Sequence, residues 1–292
     1  MIDIGRIGIW TFQLELQPAT RAQELAAEIE AMGWGAIWIP EALGREVFTH
    51  SALLLAGTKR IPICTGIANI WGRDPMAMSN AQRTLNEAYP NRFLLGMGVS
   101  HAPMVGMRGH NYDKPLTAMR TYLDQMDAAP FMAYPPSTEP ERVIAALAPK
   151  MLQLAAEKTR GSHPYFVPPE HTARAREIMG AKALLAPEQA AVLEKDASTA
   201  RQIGRAHMAI YLGLPNYVNN LKRLGFTDDD VANGGSDRLV DAIVAWGDVA
   251  AVAGRVKQHH DAGANHVCLQ VLDADPRTAP VRQWKELAAA LL

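Results

Sequence analysis

The sequence predicts an α/β protein, specifically a (β/α)8 TIM barrel with a helical insertion between its seventh and eighth strands. Three observations predict it. Short apolar runs alternate with helical patterns along the whole chain, the order expected of parallel strands joined by crossover helices. Several runs, such as FLLGMGV and HVCLQVL, are apolar almost continuously, as strands buried on both faces must be. Finally, 292 residues hold eight such units, a barrel needing roughly 250, with a surplus for one insertion. A doubly wound open sheet is the structural competitor, but no G-x-G-x-x-G follows the first strand. Residues 1–292 are read as a single domain.

The elements follow in order. Strand one is Ile4 to Trp10. The helix after it starts at Pro18, where a fixed φ suits a first turn, and carries Leu25, Ile29 and Met32 at helical spacing. Gly33 ends it in a left-handed cap. Ala36 to Pro40 is strand two, and Thr49 to Thr58 a short helix. Strand three is ICTGIANI, Ile63 to Ile70. Asp74 then caps a helix with Pro75 at its first position, running to about Tyr89. Phe93 to Val99 is strand four, followed by a glycine-bearing loop and a helix from Pro115 to Asp127. Arg142 to Leu147 is strand five, with its helix in MLQLAAEKT. HPYFV is strand six, followed by a helix from Pro169 to Met179, and QAAVLE is strand seven. Helical pieces in GLPNYVNNLKRLGF and SDRLVDAIVAW fill the insertion. His266 to Leu272 is strand eight, and Thr278 to Leu292 the closing helix. The segments AMGWGAIWI and DAGANHVCLQV use one device, a glycine-rich return from helix to strand.

Composition narrows function. Hydrophobic residues make up 48 % and charged residues 20 %, with a formal net charge of -1. That is a globular composition, and it gives no electrostatic case for nucleic acid or an anionic membrane surface. The two cysteines, Cys64 and Cys268, sit in apolar runs and read as buried thiols; no Cys/His spacing forms a metal site. MIDIGRIGIW has no basic n-region and reads as a strand, so a cytoplasmic location is expected.

In such a barrel the chemistry lies where the strands end. Those positions hold Trp10 after strand one, Glu41 after strand two, Asn69, Trp71 and Arg73 after strand three, Ser100 and His101 after strand four, and Ala146, Leu147 and Ala148 after strand five. There is no nucleophile elbow, Walker loop or zinc cluster. Small residues in strands three and five let a flat ligand approach the backbone, which suits a planar redox cofactor. Arg73 could hold a phosphate or pair with a rim acid. Glu41 could serve a cofactor or form a salt bridge with Arg45 or Arg73. Trp10 and Trp71 are candidates for lining a substrate pocket, and His50 reads as a surface residue at a helix start.

IWIPE, TGIANIWGRDP, RFLLGMGVSH, AALAPKMLQLA and DAGANHVCLQV, in that order, resemble the bacterial luciferase-like superfamily, and within it the F420-dependent oxidoreductase branch. The resemblance covers nearly the whole chain. It implies a homodimer and a small-molecule substrate, with coenzyme F420, or alternatively FMN, as cofactor. It also implies a strand-three bulge against the deazaflavin, with a cis peptide bond between Gly66 and Ile67. Cofactor contacts then fall on Glu41, Gly66, Ile67, Ala68, Asn69, Ser100, His101, Ala146, Leu147 and Ala148. His101 stands in the place of a proton donor, and a neutral histidine can serve as a general acid; Glu41 is the second catalytic candidate. The family's strand-two acid is followed by histidine, whereas Ala42 stands here, which puts sugar-phosphate and alcohol substrates in doubt. An FMN-dependent monooxygenase and a barrel that binds a ligand without turnover remain as other readings.

Overall fold

A computed structural model describes residues 1–292. Eleven strands form one all-parallel sheet: β1 (Ile7–Trp10), β2 (Ile37–Ile39), β3 (Ile63–Thr65), β4 (Ala68–Asn69), β5 (Phe93–Gly98), β6 (Arg142–Ile144), β7 (Gly161–Ser162), β8 (Leu184–Leu185), β9 (Glu188–Val192), β10 (Val244–Trp246) and β11 (Val267–Val271). The helices on the first half are α1 (Ala19–Ala31), α2 (Val47–Gly57), α3 (Pro75–Ala88), α4 (Ala102–Met107), α5 (Pro115–Asp127) and α6 (Pro149–Lys158). Those on the second half are α7 (Pro169–Met179), α8 (Ala197–Leu212), α9 (Pro215–Arg223), α10 (Asp228–Val231), α11 (Asp237–Ile243), α12 (Val249–Asp261) and α13 (Val281–Leu291). No helix is long and apolar enough to cross a membrane.

The strand order is β10-β9-β11-β1-β2-β3-β5-β6-β7-β8, with β4 on β5. The sheet curls, consistent with a TIM-barrel-like fold. β8 and β9 are consecutive in the chain, separated by Ala186 and Pro187. β8 pairs with β7, while β9 pairs with β11. Backbone bonds run through the junction to both sides, from Ala186 N–H to Ser162 O (2.9 Å) and from Cys268 N–H to Pro187 O (2.8 Å).

Two apolar layers follow from strand alternation. One set of side chains, including Ile9, Ile37, Ile63, Phe93, Leu95, Ile144 and Leu269, packs outward against the helices. The other, including Trp10, Trp38, Cys64, Leu94, Val143, Leu184, Ala186 and Cys268, faces inward. Both predicted glycine returns are present: Gly33 (φ 92°) follows α1 and Gly263 (φ 100°) follows α12, each in the left-handed region. Asp74 caps α3 through Ala77 N–H (2.9 Å), with Pro75 first in the helix.

Three boundaries differ from expectation. The sixth strand is Gly161–Ser162, so HPYFV lies beyond it, towards the mouth. The seventh starts at Leu184 and is interrupted at Pro187 rather than starting at Gln189. Between β9 and β11 the helices α8 to α11 are joined by a strand, β10, on the outer edge of β9.

Candidate active site at the strand ends

Strand three determines the geometry. Cys64 pairs with Leu94, yet Ala68 pairs with Met97, so four steps along one strand match three along its neighbour. That is a β-bulge. It inverts the side-chain phase: Cys64 faces inward, while Ala68 lies in the outward layer. The Gly66–Ile67 peptide bond is cis, as the resemblance implied.

The bulge demands glycine on both strands. A Cβ at Gly66 would lie 2.5 Å from Trp10 Nε1 and 2.9 Å from His163 Nε2; one at Gly98 would lie 2.5 Å from the Ile67 side chain; one at Gly96 would collide with Thr65 O. Thr65 restores the ladder there. Its hydroxyl donates to Gly96 O (2.7 Å) and accepts from Gly96 N–H (2.8 Å). Gly66 N–H bonds back to Ile39 O on β2 (2.7 Å). The result is a stretch of backbone half-buried at Gly66 and Ile67, with Trp10 and His163 packed close against Gly66 and the Ile67 side chain against Gly98.

Glu41 locks the end of this segment. Its carboxylate accepts Asn69 N–H (2.7 Å) and Arg73 Nη1 (3.0 Å), and it makes a second contact with Arg73 Nη2. With 4 % exposure for Glu41 and 12 % for Arg73, the pair is buried. Glu46 joins it on Arg73 (2.9 Å). Of the alternatives weighed for Glu41 and Arg73, the ion pair between them is present. Asn69 turns its side chain inward, Oδ1 accepting Trp71 N–H (2.9 Å), and Trp71 Nε1 donates to Val99 O (2.9 Å).

Ser100 has φ 58° and leads into His101, which precedes α4. His101 Nδ1 lies 3.1 Å from Asn216 Oδ1 on α9, and its ring faces Tyr217 at 5.3 Å. Burial pulls the His101 pKa below the ordinary histidine value, and the Asn216 bond opposes the shift. Ala146 is buried, Leu147 O accepts from His171 Nε2 (3.1 Å), and Ala148 precedes α6.

An aromatic wall spans the mouth. Tyr217 meets Phe166 (5.4 Å) and Tyr211 (5.3 Å), Tyr211 meets Tyr165 (5.2 Å), and Tyr165 meets Trp10 (5.0 Å). Tyr165 OH donates to Gln270 Oε1 (2.7 Å) and accepts from Tyr211 OH (2.8 Å). Trp10 is only 2 % exposed, so it forms the floor beside Gly66. Beneath lies Glu188, 1 % exposed, with Oε2 accepting Phe166 N–H (3.1 Å) and Oε1 unpartnered. Burial pushes its pKa up to about 8, so the carboxyl is un-ionised at neutral pH.

Sequence reasoning had not singled out Tyr165, Glu188, Tyr211, Asn216 and Tyr217. The available signal was three of the chain's 7 tyrosines between Tyr165 and Tyr217. His50 was expected at the surface but is 1 % exposed, because α2 starts two residues before Thr49 and turns it inward.

The family model for luciferase-like monooxygenases matches residues 6–266. The chain belongs to this family. A relative from Archaeoglobus fulgidus, 5,10-methylenetetrahydromethanopterin reductase, is 29 % identical over 274 residues, covering 82 % of this chain and 81 % of the relative. A Mycobacterium tuberculosis protein named "Putative coenzyme F420-dependent oxidoreductase" is 29 % identical over 195 residues, and this match spans 55 % of that protein's length and 56 % of this chain. Among solved structures, an F420-dependent secondary alcohol dehydrogenase in complex with an F420-acetone adduct superposes with TM-score 0.79 at 16 % identity over 100 % of both chains. The FMN complex of a Baeyer-Villiger monooxygenase from Pseudomonas putida gives TM-score 0.67 at 15 % identity, covering 99 % of this chain and 96 % of that one. At these identities the structural likeness establishes the luciferase-like fold.

Proposed function

We propose that this luciferase-like protein is an oxidoreductase that transfers a hydride between coenzyme F420 and a small organic substrate. The strand-three bulge carries the reading. Gly66, Gly96 and Gly98 let the bulged strand press on its neighbours, which leaves Gly66 and Ile67 half-buried where a planar ring can lie against backbone, and His101 stands on the neighbouring strand end. The residues present therefore fit a deazaflavin. Bound there, F420 supplies the ring carbon that gives or takes the hydride.

The protein's own groups do the rest. Gly66, Ile67 and Ala68 form the seat, and Glu41 acts through Arg73 and Asn69 to hold it in place. Ser100 and His101 face the reacting edge, with His101 as the proton-transfer group. Ala146, Leu147 and Ala148 contact the cofactor's tail ahead of α6. The wall from Trp10 to Tyr217, with Trp71 on the opposite side, excludes water and lines the substrate space. In this reading the strands form a (β/α)8 barrel whose helical insertion lies between strands seven and eight, in GLPNYVNNLKRLGF and SDRLVDAIVAW. The protein acts in the cytoplasm as a homodimer.

Differential scanning fluorimetry with F420 and with FMN tests the proposal. F420 raises the melting temperature and FMN does not. Stabilisation by FMN alone favours the second reading, an FMN-dependent monooxygenase, for which the FMN-bound structural neighbour speaks.

A further inference from the structure

The three tyrosines of the aromatic wall differ in one respect. The hydroxyls of Tyr165 and Tyr211 are engaged, with each other at 2.8 Å and, for Tyr165, with Gln270 Oε1 at 2.7 Å. Tyr217 OH makes no hydrogen bond within the chain, yet it is not sealed from solvent, although the residue is only 7 % exposed. A phenol can donate one hydrogen bond and accept others, and here both capacities are unused inside the chain. Tyr217 stands in the first turn of α9, its ring 5.3 Å from His101, 5.3 Å from Tyr211 and 5.4 Å from Phe166. The free hydroxyl therefore opens on the mouth, beside the end of strand four. A small number of placed polar groups on an otherwise apolar lining is what orients a ligand in a binding site.

The wall also carries no charge. The ionisable groups that act on the three phenols are the phenols themselves, Tyr112 and Glu188; no guanidinium or ammonium is among them. Glu188 is un-ionised at neutral pH, and burial keeps His101 neutral there. Arg73 is taken up by Glu41 and Glu46, and Arg108, whose guanidinium lies beside Gly72, belongs to the strand-three side of the mouth. An ionised group laid against these rings would lose its water and gain no countercharge. A flat aromatic body instead gains edge-to-face and offset contacts beyond its buried area.

We infer that Tyr217 is a substrate-binding residue, and that this luciferase-like site takes an uncharged, flat aromatic substrate with one polar atom, a carbonyl oxygen or ring heteroatom, that accepts a hydrogen bond from the Tyr217 hydroxyl. The inference rests on the reading of the mouth as substrate space beside F420. It divides the labour between two parts of the chain: the strand ends hold the cofactor, and the first turn of α9 selects the substrate.

Calorimetric titration of the protein, with and without oxidised F420, against matched probes tests it. 2-Acetylnaphthalene is flat and carries one carbonyl, 2-ethylnaphthalene has the ring and no acceptor, cyclohexyl methyl ketone has the carbonyl and no flat ring, and 2-naphthoate is an anion on the same ring. 2-Acetylnaphthalene is expected to bind about fivefold tighter than 2-ethylnaphthalene, the worth of one neutral hydrogen bond. It should bind about tenfold tighter, or more, than the ketone and the naphthoate. Tyr217→Phe abolishes the preference for the carbonyl, leaves 2-ethylnaphthalene binding as before, and melts with the wild type because the lost hydroxyl bonds to nothing inside the chain. Equal affinity for the two neutral naphthalenes, tighter binding of 2-naphthoate, no binding of any probe, or a lowered melting temperature in Tyr217→Phe overturns the inference. If F420 fails to bind while the cofactor-free protein still prefers 2-acetylnaphthalene, the cofactor reading falls and the role of Tyr217 stands.

Discussion

Thr65 and Gly96 complete each other: the Thr65 hydroxyl both donates to Gly96 O and accepts from Gly96 N–H, at 2.7 and 2.8 Å. One side chain thus satisfies two backbone groups that the bulge separates from their ladder partners. Thr65→Val keeps the shape and removes both bonds in a fully buried place. A loss of about 2–3 kcal/mol in urea unfolding is expected, the cost of leaving buried polar groups unmet, together with weaker F420 binding. Thr65→Ser restores both. If Thr65→Val unfolds like wild type, the hydroxyl does not support the bulge.

Gly66→Ala tests the seat itself. The new methyl would press on Trp10 Nε1 and His163 Nε2, and overpacking of this kind costs about 1–3 kcal/mol. The expected outcome is a lowered melting temperature and at least tenfold weaker F420 binding by fluorescence titration. Gly106→Ala in α4, where nothing lies within 4 Å, serves as the control and changes neither.

The Glu41–Arg73 pair should be costly to break from one side only. Arg73→Ala leaves a buried carboxylate with the Asn69 N–H and no countercharge. A loss of about 3–5 kcal/mol is expected. Glu41→Gln with Arg73→Met recovers part of it, and a double-mutant cycle by urea denaturation measures the coupling. Additive single effects would show that the pair does not act as a unit.

Glu188 imposes a pH dependence of unusual sign. Its folded-state pKa, about 8, lies above the ordinary glutamate value of 4.5, so the folded chain binds the extra proton. Stability from this group falls as pH rises from about 4.5 and levels off above about 8, reaching a penalty of roughly 3 kcal/mol at pH 7. Glu188→Gln keeps an acceptor for Phe166 N–H and removes the ionisable group. Its stability relative to wild type should therefore grow between pH 5 and 8; a gap independent of pH would refute the protonated state.

The buried histidines act in the opposite direction. His50, His163, His171, His207 and His266 are held down to about 4, and His259 to about 3, in each case mainly by burial. Their unfolded forms take protons first, so stability is lost as pH falls from about 6.5 towards 4. Acid unfolding followed by circular dichroism should begin below pH 6.5 and be steep. His259→Gln, which can still bond with Thr172 or Gln189, should make it shallower.

Much of this was legible because it depends on local backbone rules. TGIANIWGRDP carries glycine where strand three must press on its neighbours, an asparagine that turns back on the chain, and an Asp-Pro helix start. The seventh strand was misplaced because Pro187 interrupts its apolar run, which hid Glu188 in what read as a flank. Asn216 and Tyr217 lay in a segment that read only as surplus helix. Nothing local in NYVNNLKR states that its first turn reaches across the mouth to His101. That is tertiary information, as is the choice of Arg73 over Arg45 as the partner of Glu41.

The register slip on strand three makes insertions and deletions more consequential than substitutions there. Before the slip, even-numbered residues face the barrel's interior; after it, Ala68 and Ile70 belong to the outward layer. Removing one residue from Thr65–Ile67 would match the strand one to one with β5, leaving Ala68 opposite Met97 and every downstream face as it is. Ala68 and Ile70 would stay in the outward layer and Asn69 would keep the place from which its amide meets Glu41, but the half-buried bulge at Gly66 and Ile67 would be gone. A shortened strand three could thus pair along its whole length with both walls intact and still lack the seat for the ligand, so in this chain good strand pairing and a working site are separable properties.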